Sequence, residues 1–331
     1  MPSATERPIN RELFEAQARY LACVLALPVT EQVGITSSAW ISEPVGPGLN
    51  NLFLLRVDGI EYLGRRVPGA NGELDSRLTP DMLLGTLLQA RWDEQGWHCR
   101  YQPLTDSQCK ALFRRALTSS GHRVHFPFPE LDTQCREQVA PPSFWDAPQS
   151  LANRLDRQEQ HFRDTSIALL THGLRPGAII HDPACSTGTF IAALARALPN
   201  SHCVGADRSA AMIDHATANH RLPNLSFEIA DAHAPVMPAS SCDVLILRFL
   251  NAEMMTRACA LALFEQLTDL IRPGGMALVF GQSSVLFDVE LQARRLGLQV
   301  ASSLAAVPGS LQLFQFYQLL RPMPLLEQKP S

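Results

Sequence analysis

Four charged side chains stand where short, β-rich runs of this sequence end: Asp182, Asp207, Asp231 and Arg248. Asp182 opens the stretch Asp182-Pro-Ala-Cys-Ser-Thr-Gly-Thr-Phe190. Its small residues suit a tight strand-to-helix turn that brings backbone close to a ligand. Asp207, in Gly-Ala-Asp-Arg-Ser, follows Gly188 by nineteen residues, and a carboxylate there can accept both hydroxyls of a ribose. Asp231 lies in Ile-Ala-Asp-Ala-His, and Arg248 begins Arg-Phe-Leu. Taken singly, each acid reads as a turn or cap residue. Together they occupy consecutive strand ends, where ligands bind in open α/β sheets.

The elements that must position them begin near Pro176, where β-rich runs start to alternate with helical patterns, the mark of an α/β domain with a mainly parallel sheet. Strands are expected at Ala178–Cys185, His202–Ala206, Leu225–Ile229, Cys242–Leu247 and Met276–Phe280. Helices are expected at Thr187–Leu198, from Ser209 as N-cap to about Asn219, at Glu253–Ile271 with Arg-Pro-Gly-Gly as its stop, and at Val285–Leu296. Leu298–Leu304 and Leu311–Leu320, joined by Val-Pro-Gly-Ser, read as an antiparallel hairpin.

Seven strands closing on a hairpin resemble the Rossmann-like fold of class I S-adenosylmethionine (SAM) methyltransferases, over about residues 150–320. A dinucleotide-binding Rossmann domain would continue with parallel βα units. The resemblance implies SAM as cosubstrate or substrate, with no metal. It places Asp182 toward the amino group of the methionine moiety and the backbone of Ala184, Cys185, Ser186 and Gly188 along it. It sets Asp207 and Arg208 at the ribose, Asp231 and Ala232 at the adenine, and Arg248 and Phe249 beside the sulfonium. The sequence departs from the family's acidic-x-Gly-x-Gly-x-Gly turn: Ala184 and Ser186 stand for the first two glycines and only Gly188 remains.

The reaction is less sharply marked. Arg248-Phe249-Leu250-Asn251 replaces the Asn/Asp-Pro-Pro-Tyr/Phe of nucleic-acid amino methylation, and no histidine follows His233. Trp145 to Arg154 leads into a polar helix, Leu155–Leu170, that in this superfamily closes over SAM. Asn153 and Phe162 could contact the methionine carboxylate and sulfonium, while Gln160 and Arg163 read as a solvated face. Phe190 either stacks on the positive sulfur or starts the apolar face of its helix. Asn153, Phe162, Phe190 and Arg248 are therefore the catalytic candidates.

The first reading is a SAM-dependent methyltransferase of small-molecule, secondary metabolism. The second keeps SAM and releases methylthioadenosine, by aminocarboxypropyl transfer or by closing the substrate's own amine to azetidine-2-carboxylate. This chain is similar to such cyclases in its Asp-Pro-Ala-Cys-Ser-Thr-Gly turn, Asn153 and Phe190. A non-catalytic SAM-binding scaffold is the third.

Residues 1–149 are expected to form a mixed α/β cap over the acceptor site, and 150–331 the SAM-binding domain. In the cap, Glu12–Leu27, Pro80–Trp92 and Thr105–Ser119 read as helices, Asn51–Val67 as a hairpin on Asp58-Gly59, Gly69–Gly72 as a turn and Val139–Pro148 as a linker. With 28 Lys+Arg against 32 Asp+Glu, the net charge of −4 disfavours a nucleic-acid partner. Apolar runs such as Tyr20–Pro28 fall short of the ~20 residues that span a bilayer. The N-terminus lacks signal-peptide character, so a cytoplasmic protein with a small-molecule substrate is expected, its oligomeric state open and a homodimer included. The eight cysteines form no Cys-x-x-Cys pair and read as buried thiols.

Overall fold

The computed structural model describes residues 37–44, 52–66, 75–93, 96–119, 121–126, 139, 158–235, 237–251 and 254–324. The expected helix at Glu12–Leu27, the turn at Gly69–Gly72, nearly all of the Val139–Pro148 linker and the candidate Asn153 lie outside them.

Six strands come first: β1 (Ala39–Pro44), β2 (Leu52–Val57), β3 (Ile60–Arg65), β4 (Leu83–Asp93), β5 (Gly96–Pro103) and β6 (Arg123–His125). They form one sheet in the order β1-β5-β4-β3-β2-β6, every pairing antiparallel. The β2–β3 hairpin turns on Asp58 (φ 52°) and Gly59 (φ 78°), the left-handed pair that matches strand twist. Helix α1 (Asp106–Ala116) starts at a capping box in which Thr105 and Gln108 satisfy each other's backbone. Pro80–Trp92 is not the helix its spacing suggested. A single 3-10 turn at Pro80–Met82 leads into β4, which is buried at Leu83, Gly85 and Leu87 in strand alternation. Pairing with β3 and β5 overrides a pattern that is ambiguous by periodicity alone.

The second sheet holds β7 (Ile179–Asp182), β8 (His202–Asp207), β9 (Leu225–Ile229), β10 (Cys242–Leu247), β11 (Ile271–Val279), β12 (Gln299–Ala306) and β13 (Leu313–Leu320). Its order is β12-β13-β11-β10-β7-β8-β9, parallel except for β13, which runs antiparallel to both neighbours. This is the Rossmann-like sheet with a closing hairpin. Helices α2 (Gln160–Thr171), α3 (Thr189–Ala197), α4 (Ala210–Asn219), α5 (Arg257–Thr268) and α6 (Val289–Arg295) accompany it. No described helix is long and apolar enough to cross a membrane.

Several boundaries move: β7 ends at Asp182, short of the expected Cys185, and β11 begins at Ile271, before the expected Met276. Helix α5 runs from an N-cap at Thr256 only to Thr268; Arg-Pro-Gly-Gly lies inside β11, bulging between the pairs Cys242–Ile271 and Val244–Met276. Helix α6 begins only after Asp288, whose carboxylate accepts the Leu291 N–H at 3.0 Å, because Val285 is drawn into a bridge with Asn251.

The two sheets meet along the closing hairpin. Leu78 bridges Leu313, Ser303 Oγ donates to the His122 carbonyl, and Gln315 Nε2 donates to that of Val124 at 3.2 Å. Leu313, Leu304 and Ala306 join the core of Phe53, Leu55, Phe113 and Val124.

Candidate active site

The turn after β7 shows what the missing glycines cost. Ser186 sits at φ 52° and Gly188 at φ 75°. Gly188 has no substitute, since a Cβ there would stand 2.7 Å from the Phe227 ring and 2.8 Å from Ala216 Cβ. Ser186 holds a left-handed conformation that disfavours side chains by about 1–2 kcal/mol, and its N–H is anchored on Asp207 Oδ2 at 2.9 Å. Asp207 Oδ1 accepts the Ser209 N–H at 2.9 Å, while the Ser209 hydroxyl caps α4. The carboxylate is thus rigidly placed by two backbone donors and retains lone pairs for a ligand. Burial raises its pKa despite those bonds.

A cleft opens at the carboxyl ends of β7, β8 and β10. Of the residues singled out from sequence, Ala184, Ser186, Asp207, Arg208, Asp231, Ala232, Arg248 and Phe249 line it. Cys185 and Gly188 shape the turn from below: the thiol is fully buried, and burial pushes its pKa up.

Asp182 departs from expectation. It is fully buried and absent from the cleft wall. Its Oδ1 accepts the Ala184 N–H at 3.3 Å and its Oδ2 accepts Arg248 Nε at 3.1 Å. Arg248 lies over it, donating also from Nη1 to Glu159 Oε1 at 2.8 Å and from Nη2 to the Ala184 carbonyl at 3.2 Å. Of this cluster, Arg248 and Glu159 are therefore the charged residues that line the cleft. Burial opposes the Arg248 charge, yet Glu159 and Asp182 hold it protonated well above its ordinary range. Burial raises the Glu159 pKa, only partly offset by Arg248.

The two phenylalanine candidates are core residues, each 1% exposed. Phe162 stacks on Phe280 at 4.8 Å, and Phe190 packs against the same ring at 5.4 Å. The cation over Phe190 is the Arg248 guanidinium, 5.6 Å from the ring centre. Arg163, expected on a solvated face, is buried and donates to Gln160 Oε1 at 2.7 Å.

Sequence reasoning missed Glu159, Met212, His233, Asn251, Met254, Met255, Leu263 and Gln282, which also line the cleft. Asn251 could have been found by extending the strand-end argument three residues past Arg248. Gln282 could not, because its link is tertiary. Ser76, from the segment before β4, donates to Gln282 Oε1 at 3.3 Å and so accepts from His161 Nε2 at 3.0 Å.

That arrangement needs a proton on Nε2, and the ring stays neutral otherwise because burial, followed by the nearby Arg77, pushes its pKa down from 6.5 to about 4. The stabilising neutral ring is fully effective above pH 6.5, where the unfolded side chain also lacks the proton. Stability is then lost as pH falls toward 4, by about 3 kcal/mol at 1.36 kcal/mol per pKa unit. Urea unfolding at pH 7 and pH 4.5 should show this fall, and His161→Phe should remove it while leaving the share of His125, which burial also holds at about 4. An unchanged pH slope in His161→Phe would refute the assignment.

Residues 180–275 match the family described as methyltransferase domain. Over these residues the chain is similar to methyltransferase domains. A broader likeness is to isonocardicin synthase of Nocardia uniformis subsp. tsuyamanensis, 29% identical over 281 residues that cover 81% of this chain and 91% of that protein. The chain also resembles trans-aconitate 2-methyltransferase of Deinococcus radiodurans, 36% identical over 105 residues, 32% of this chain and 38% of that one. Among solved structures, a SAM-dependent methyltransferase from Aquifex aeolicus matches with TM-score 0.42 and 16% identity, over 52% of this chain and 98% of its own.

Proposed function

We propose that this protein is a SAM-dependent enzyme of small-molecule metabolism in which SAM is cleaved at its Cγ–S bond, releasing methylthioadenosine. The cleft residues suit SAM. Asp207 offers an anchored carboxylate for the ribose hydroxyls, and Met254, Met255, Leu263 and Phe249 offer apolar walls for the adenine near Asp231. The bound sulfonium supplies an activated carbon and a neutral leaving group.

The observation that carries the choice of bond is Glu159, a cleft carboxylate with a raised pKa, paired with Arg248 beside the β7 turn. In the superfamily's arrangement that is the amino-acid end of the ligand. A carboxylate poised this way can take a proton from the α-ammonium, because general bases work best with pKa values brought toward the operating pH. Arg248 keeps two N–H donors beyond its three internal bonds for the α-carboxylate. The freed nitrogen lone pair then forms the N–Cγ bond while the Cγ–S electrons leave with methylthioadenosine, giving azetidine-2-carboxylate. The relative matched over most of both chains is named a synthase, after its product, and not for methyl transfer.

Methyl transfer to a small acceptor is the second reading, favoured by the domain match at residues 180–275. Incubation of the pure protein with SAM alone separates them. Methylthioadenosine together with a four-membered amino acid is the expected result. S-adenosylhomocysteine, appearing only when an acceptor is supplied, would establish methyl transfer and overturn the proposal.

The ribose contact has its own test. Asp207→Ala removes two charge-assisted hydrogen bonds and should weaken S-adenosylhomocysteine binding by about 2–3 kcal/mol, roughly 30- to 150-fold. Calorimetry showing undiminished affinity would disprove this placement.

A further inference from the structure

Asn251 follows β10 and lines the cleft, yet it is 6% exposed and its Oδ1 is buried with no hydrogen-bond partner among the described residues. A buried acceptor left unpaired is costly, and a ligand that brings a donor removes the cost. The side chain is held in place from behind. A Cβ on Gly281 would stand 2.7 Å from Asn251 Nδ2 and 3.4 Å from the Arg248 carbonyl, so the amide packs against bare backbone on the Arg248 side of the cleft. Beside it, Gln282 has its Oε1 committed to Ser76, which leaves its amide protons for a ligand.

We propose that Asn251 Oδ1 accepts an N–H from the primary amine of the ligand, and that this contact makes the cleft selective for an aminated amino-acid tail. SAM carries three kinds of donor. The ribose hydroxyls belong with Asp207 and the adenine amine with Asp231, which leaves the α-amine for the Arg248 side. A neutral amide suits this role because it accepts from the amine in either protonation state and does not hold the proton that Glu159 must take. With one N–H held, the nitrogen lone pair has a fixed direction. The proposal rests on the cleft being a SAM site, and it holds whichever carbon is attacked.

The experiment is calorimetry with two probes, S-adenosylhomocysteine and its desamino analogue S-adenosyl-4-thiobutyrate, on wild type, Asn251→Leu and Asn251→Asp. The leucine variant should bind S-adenosylhomocysteine at least tenfold more weakly and the desamino analogue within twofold of wild type. The aspartate variant keeps an acceptor and should retain S-adenosylhomocysteine within threefold. Equal losses for both probes would reduce Asn251 to a structural role, and no loss for either would also overturn the proposal. Wild type that binds neither probe would overturn the SAM reading itself, a separate and recognisable failure. Should leucine prevent folding, Asn251→Ala supplies the same comparison without added bulk.

Discussion

Replacing Arg248 with methionine should destabilise the protein by about 3–5 kcal/mol, the range for breaking a buried ion pair from one side. Arg248 is within hydrogen-bonding distance of both Asp182 and Glu159, whose side chains are 0% and 10% exposed. Methionine fills much of the volume but leaves two carboxylates buried without their counter-ion. One or both must take a proton to remain inside, so the variant's stability should improve as pH falls from 8 toward 5. That sign is opposite to the effect of His161. Urea unfolding across this range measures both the size and the slope. A loss below 1 kcal/mol would mean that Asp182 and Glu159 have solvent or partners enough without Arg248, and that the cluster does not organise the cleft.

Glu159→Gln should lower methylthioadenosine formation by roughly 10²- to 10⁴-fold, the usual contribution of a general base. The amide oxygen can still accept from Arg248 Nη1, and Asp182 still neutralises the guanidinium, so folding and S-adenosylhomocysteine affinity should change little. The wild-type rate should fall on the acid side with an apparent pKa above the ordinary carboxylate value of 4.5, because burial raises Glu159. In the glutamine variant that limb should vanish. Turnover within threefold of wild type would remove Glu159 from the proton path and return methyl transfer to the front.

The cleft-lining ends of β8, β9 and β10 were legible because each pairs a local pattern with a local requirement. Leu225–Ile229 and Cys242–Leu247 are strands over the bounds expected. Ser209 caps α4 as its residue type suggests. Asp207 needs only to end a strand beside the β7 turn to be held by the Ser186 and Ser209 amides. Pro80–Trp92 failed for the opposite reason: its apolar spacing suits a helix or a strand, and only partners distant in sequence choose between them.

By itself, the sequence determined the order of strands and helices from Pro176 onward, the small-residue turn after β7, and the acids that crown the sheet. These follow from periodicity, capping and turn chemistry, which act over a few residues. Tertiary structure decided which charges line the cleft. Asp182 is covered by Arg248, 66 residues further on, whose Nε donates to its carboxylate. Glu159 enters the cleft because Arg248 also reaches back 89 residues to it. Phe190 is occupied by that same guanidinium and by Phe280. Charge pairing in a desolvated interior depends on distances in space, and sequence spacing carries no record of them.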